Sequence, residues 1–205
     1  MVMKNWTRRL SCIALAAVIA VPAVAAKSGA TSPGKYKVWG PDIDEIEIVR
    51  TFDASDYSNV VVEPLDVSGT PKPEDADMVD KVSNVLSNAT EPFTEGIAKN
   101  AKSLQVGTAP GKAATRGTLI VRGRVTLMDP GSRGKRLFIG YGAGAARTAI
   151  TGEIVDGATG EVLVRFTQER LSGMERFGRG SSYEEIMKRN LGAIGRDVAN
   201  ILKEF

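Results

Sequence analysis

Over Thr118–Asp129 the chain alternates, with Leu119, Val121, Val125 and Leu127 on one side and Arg122, Arg124 and Thr126 on the other. Successive side chains of a strand point to opposite faces, so this period predicts a strand with one apolar and one wetted side. An apolar face of that length has to be covered, and the rest of the chain must supply a second layer.

The neighbouring segments supply more strands. Residues 147–155 and 161–171 read as two strands joined by Asp156-Gly157-Ala158-Thr159-Gly160, the clearest hairpin in the sequence. An earlier strand is expected within 57–67, where Asn59-Val60-Val61-Val62 is rich in β-branched residues and Pro64 closes the run. A short strand is expected at 103–107.

Two segments carry the helical period instead. Over 74–102, Met78, Val82, Val85, Leu86, Ala89, Phe93, Ile97 and Ala101 recur at spacings of mainly three and four, and Pro92 is expected to kink or split this long helix. The second helix begins at Ser181, Ser182, Glu184 and Glu185, in capping-box spacing, and its apolar stripe runs through Tyr183, Met187, Leu191, Ile194, Val198, Ile201, Leu202 and Phe205. The expected architecture is an α+β, two-layer domain over 42–205. It has a mainly antiparallel sheet of four to five strands packed against two helices, one long and kinked and one C-terminal.

Residues 1–26 read as a cleavable signal peptide. Lys4, Arg8 and Arg9 precede an uncharged run over 10–21, Pro22 breaks it, and Ala23-Val24-Ala25 or Val24-Ala25-Ala26 offers the small residues a signal peptidase accepts. The run falls short of the ~20 residues a membrane span needs. Export to the periplasm or cell envelope follows, with no stable transmembrane anchor after cleavage. Cys12, the one cysteine, lies at the start of the apolar run rather than at its end, so it is placed as an apolar residue of the signal and not as a lipid attachment site. Residues 27–41 (KSGATSPGKYKVWGP) show no period and are expected to form a flexible leader.

The signal changes what the charge means. It holds three of the 27 Lys and Arg and no acidic residue, so the remainder equals the 24 Asp and Glu, and nucleic acid is not an expected partner. The charges are nevertheless polarised along the chain. Residues 42–95 hold fourteen acidic side chains against Arg50, Lys72 and Lys81, whereas 112–147 hold eight basic ones against Asp129. These two regions are expected to face one another or to be diluted over the folded surface; the alternative is a basic patch for an acidic partner.

The segment Leu137-Phe138-Ile139-Gly140-Tyr141-Gly142-Ala143-Gly144-Ala145-Ala146-Arg147 superficially resembles a dinucleotide fingerprint. Such a site needs the glycine loop to open a helix, whose N–H groups hold the pyrophosphate. Here the continuation, Thr148-Ala149-Ile150-Thr151-Gly152-Glu153-Ile154, has strand character. No cofactor and no metal site is therefore expected, and the glycines are assigned to close backbone approach or strand bending.

Asp129-Pro130-Gly131-Ser132-Arg133-Gly134-Lys135-Arg136, then Gly140-x-Gly142-Ala143-Gly144, then Asp156-Gly157-Ala158-Thr159-Gly160-Glu161-Val162 follow one another in an order that resembles the 4410 domain-of-unknown-function family of exported bacterial envelope proteins. The resemblance covers roughly 57–205 and is most specific over 118–165. It implies an envelope location, no established activity, and a two-layer fold like those of periplasmic accessory domains that pair or assemble with other envelope components. Many members are lipoproteins, and this chain lacks the corresponding cysteine position.

Catalysis is narrowed by subtraction. The chain has no histidine, and its cysteine goes with the signal, which removes Ser-His-Asp triads, Cys-His pairs and histidine-ligated zinc. A carboxylate pair or a Ser-Lys dyad remains. Asp42, Asp44, Glu45 and Glu47, alternating with Ile43, Ile46 and Ile48, read as a solvated strand edge rather than a cleft, and of the two tryptophans Trp6 lies in the signal and Trp39 in the leader. The expectation is a noncatalytic envelope protein that binds another protein or assembles through its sheet and basic loop. The alternative is an anionic small molecule or glycan held by Arg133, Lys135, Arg136 and Arg147, with the Gly140, Gly142 and Gly144 backbones allowing close approach.

Overall fold

A computed structural model of the chain describes residues 29–40, 42–73, 75–108, 116–131, 145–172 and 182–205. In chain order these form β1 (Gly34–Trp39), β2 (Ile43–Ile48), a 3-10 turn (Ala54–Asp56), β3 (Asn59–Val62), α1 (Ala76–Ser87), α2 (Thr90–Asn100), β4 (Gln105–Thr108), β5 (Thr118–Asp129), β6 (Ala146–Asp156), β7 (Val162–Ser172) and α3 (Tyr183–Glu204). The strands make a seven-stranded sheet in the order β1-β2-β7-β6-β5-β3-β4. The helices pack against it around one core cluster. The α+β two-layer class holds, with seven strands rather than four or five and, among the described residues, three helices rather than two.

The alternation in β5 aims Leu119, Val121 and Val125 into the core as expected. A bulge between Val125 and Leu127 then shifts the register against β6. One extra residue inverts the phase, so Met128 at 1% exposure, and not Leu127, fills the last inward position. The expected hairpin joins β6 to β7. Asp156 organises its turn by accepting from the Ala158 and Thr159 amides at 2.9 and 2.7 Å, and Gly160 closes it with φ of 76°.

The Tyr57 hydroxyl also donates to Asp156, at 2.7 Å, and this bond is the largest cause holding the Asp156 carboxyl below the usual carboxylate range. The stabilisation is present above the unfolded carboxylate value of about 4 and is lost as pH falls through the lowered folded value. Tyr57→Phe should move the Asp156 midpoint, followed by carboxyl NMR, upward towards about 4. An unmoved midpoint would assign the shift to the turn amides instead.

The long helical segment is split. Helix α1 ends at Ser87 and α2 starts at Thr90, which puts Pro92 in the first turn of α2, where a missing N–H costs nothing. The carbonyl four residues before Pro92 is that of Asn88, the break itself. Helix α3 starts with a complete capping box. Ser182 Oγ accepts from the Glu185 amide at 3.1 Å, while the Glu185 carboxylate accepts from the Ser182 amide at 2.9 Å.

Two expectations about the N-terminal part are corrected. Residues 34–39, placed in a flexible leader, form edge strand β1, paired antiparallel with β2. The missing period has a local cause. Val38 adopts φ of 52°, a left-handed conformation that a β-branched residue rarely takes, and this breaks the alternation. Lys37 and Val38 are exposed, and Trp39 turns inward to 3% exposure. Its indole N–H donates to the Ala30 carbonyl at 2.7 Å, and its ring stacks on Phe205, with centroids 6.4 Å apart. The acidic segment 42–48 is likewise not a strand edge, because β1 covers β2, and Ile43, Ile46 and Ile48 are all core residues.

Candidate functional site

The helices cover one face of the sheet, and the opposite face carries charge in ordered rows. Cross-strand neighbours lie within reach of one another, so a row of alternating sign can pair all the way across a sheet. Register places Lys35 (β1), Glu47 (β2), Arg165 (β7), Glu153 (β6) and Arg122 (β5) in line. Their separations are 3.5 Å for Lys35–Glu47, 3.2 Å for Glu47–Arg165, 3.0 Å for Arg165–Glu153 and 2.8 Å for Glu153–Arg122. Burial pushes Glu153 up, but the guanidiniums of Arg122 and Arg165 outweigh it and hold the carboxyl below its ordinary range.

A second row runs from Lys37 and Glu45, 3.3 Å apart, through Thr167 and Thr151 to Arg124, which bonds Asp66 at 2.7 Å. The Ser68 hydroxyl and amide, and then Arg124, bring Asp66 down to about 2. The polarity seen along the sequence is thus only partly resolved by contact between the two regions. Asp66–Arg124 joins them directly, whereas Arg122 and Arg147 take carboxylates from β6 and β7.

Of the seven residues singled out for ligand or partner contact, Arg133, Lys135, Arg136, Gly140, Gly142 and Gly144 lie outside the described residues. Arg147 is the second residue of β6. It forks onto Glu169 of β7, with Nε at 2.6 Å and Nη2 at 3.1 Å from the two carboxylate oxygens, and this bonding raises its pKa further. A guanidinium held in this way belongs to the charged face and is not free for an anion.

The helix-facing side of the same sheet end holds a polar cluster that the sequence analysis missed. Asp197 of α3 is fully buried. Arg170 of β7 grips both of its oxygens, with Nε at 2.6 Å from Oδ2. Gln168 donates to Asp197 at 3.1 Å and to the Asp42 carbonyl at 2.7 Å, and its own oxygen accepts from the Asp44 amide at 2.9 Å. Two turns earlier on α3, Asn190 accepts from Ser172 at 2.6 Å and reaches Thr148. Burial pushes the Asp197 carboxyl up against the pull of Arg170. The partners of each group are protein atoms, so the cluster acts as a clasp joining the β1–β2 hairpin, β7 and α3. A helical-wheel signal for it exists, since Asn190 and Asp197 are seven apart on the stripe formed by Met187, Leu191, Ile194 and Val198.

Among the described residues no group of His, Cys, Asp and Glu is arranged to hold a metal ion, and no helix is long and apolar enough to cross a membrane.

Solved structures that the chain resembles include a PelC dodecamer from Paraburkholderia phytofirmans, 13% identical, with a TM-score of 0.45 over 75% of this chain and 96% of that one. Protein XCC0632 from Xanthomonas campestris is 9% identical, with a TM-score of 0.39 over 70% and 82% of the two chains. Lipoprotein GNA1162 from Neisseria meningitidis is 12% identical, with a TM-score of 0.30 over 70% and 99%. Likenesses this distant assign no residue role and no activity to the present chain. No curated protein matches it in sequence. The family model described as "Domain of unknown function (DUF4410)" matches residues 48–174, from the end of β2 through β7, and the chain belongs to that family.

Proposed function

We propose that this chain is a noncatalytic, exported protein of the cell envelope that works by binding another protein or by assembling with itself, with the charged sheet face as the contact surface. The observation that carries this is the pairing of that face. Among the described residues each of its cations, Lys35, Lys37, Arg122, Arg124, Arg147 and Arg165, sits against a carboxylate. A field of that kind offers a polyanion no net attraction, whereas rigid rows of alternating sign match a protein surface patterned in the complementary sense. The signal-like N-terminal segment supports export.

The test is a photocrosslinking side chain at Thr151 or Thr167, in the middle of the face, in cells that make the protein. A discrete adduct with another protein, or with a second copy, is expected from both positions. Absence of adducts would remove the reading, as would robust turnover of a glycan by the purified protein.

A further inference from the structure

The helix layer carries a second surface of a different kind. Helices α2 and α3 meet closely at Gly96, Gly192 and Gly195, and outside that contact their solvent faces diverge into an open groove of about 660 Å³. Its floor is made of small residues, Pro92, Gly96, Gly192 and Ala193. Its rims differ in net charge: Glu91, Glu95 and Lys99 stand on α2, and Glu185, Lys188, Arg189 and Arg196 stand on α3.

The rim charges contrast with those of the sheet. Glu95 is held by Lys99 at 2.7 Å, and among the described residues Arg196 reaches only Asp197, at 3.8 Å, whose oxygens Arg170 already grips. Glu91, Lys188 and Arg189 are exposed and have no ion-pair partner among the described residues. The fold therefore leaves uncommitted charge of opposite sign on the two sides of one groove.

We propose that this groove is a self-complementary interface, and that its occupant is a second copy of this chain related by a two-fold axis. In a two-fold contact the same patch meets itself, and with the axis running along the groove the α2 rim of one protomer lies against the α3 rim of its partner, the reverse contact being made once more. Rims of opposite sign make both meetings attractive. A partner of single sign would be repelled by one rim. The inference rests on the reading that the chain works by association, and it leaves the sheet face free for a further protein. Because exposed ion pairs supply much of the attraction, the dimer weakens as salt rises.

The test is sedimentation of the full chain as isolated from its cells, over a wide concentration range at low and high salt. The expected result is a reversible, salt-sensitive dimer. Its dissociation constant should rise by about tenfold or more in Glu91→Lys, and likewise in Lys188→Glu combined with Arg189→Glu. The three changes together should restore the parental value, because the opposed rims are then exchanged and complementary again. All three side chains are exposed, so the variants keep their fold, which circular dichroism checks. A parent that stays monomeric at every concentration overturns the proposal, as does a dimer indifferent to the reversals or one that the triple variant fails to restore. The Thr151 and Thr167 adducts, followed in the same variants, separate the two ideas. Adducts that persist when the groove predictions fail leave the functional reading standing alone, and a groove that behaves as described without any adduct supports the dimer alone.

Discussion

Asp197→Ala should destabilise the chain by about 3–5 kcal/mol, the range for removing one partner of a buried ion pair. In a chain of this size that lowers the melting midpoint by roughly 10 °C. The cause is less the lost attraction than what is left behind. Arg170 keeps its charge in a half-buried site with only the more distant, exposed Asp42 carboxylate at 3.5 Å among its described partners, and Gln168 loses an acceptor while still bonded to the Asp42 carbonyl. Calorimetry on a second variant separates these contributions. Asp197→Leu with Arg170→Met removes both charges and should recover most of the loss. Hydrogen exchange supplies a local readout, because the Asp44 amide, which donates to Gln168, should exchange faster in the single variant. A loss below about 1 kcal/mol would mean that the clasp does not hold the hairpin to the sheet.

The second large effect reverses a familiar sign. Glycine in a helix interior usually costs about 1 kcal/mol relative to alanine, so replacing it ought to help. At Gly195 a Cβ would fall 2.1 Å from the Phe93 carbonyl oxygen, and at Gly96 it would fall 2.1 Å from that of Gly192. Backbone cannot rotate away, so α2 and α3 must separate. Each change to alanine should cost about 2–3 kcal/mol, at the upper end for overpacked sites. Gly192 is the internal control. Its nearest neighbour would be the Pro92 oxygen at 3.4 Å, an ordinary contact, and Gly192→Ala should be neutral or slightly stabilising in denaturant titration. Equal effects at all three positions would show that helix propensity, not contact, decides.

These two sites show why the core of the molecule was only partly legible in the sequence. The stripe of α3 could be read from its period, and so could its capping box, since both depend on residues within one or two turns. That Gly195 faces Phe93, about a hundred positions away, depends on how two helices cross. The clasp has the same character. Asn190 and Asp197 stand on an apolar stripe, which marks them as buried, but their partners Thr148, Gln168 and Arg170 come from strands whose neighbours the sequence does not state.

The candidate site was legible to a smaller degree. Arg122 and Arg124 were placed on the wetted side of β5 by alternation, and the structure puts them there. The ion-pair rows could not be read, because Glu47 and Arg165 lie 118 residues apart and meet only when β2 docks on β7. The edge strand β1 was missed for a local reason: the left-handed Val38 interrupts its alternation and leaves Lys37 and Val38 facing solvent next to a buried Trp39.

By itself the sequence determined the order of strands and helices from β3 onward, the turn at Asp156–Gly160, the break before Pro92 and the start of α3. All of these follow from short-range sterics, side-chain period and hydrogen bonds within a few residues. Only the tertiary structure decided that β3 runs parallel between β4 and β5, that the β1–β2 hairpin adds to the far side of β7, and which charges pair across the open face. Those choices are settled by burying several apolar faces at once, an energy that belongs to no single segment.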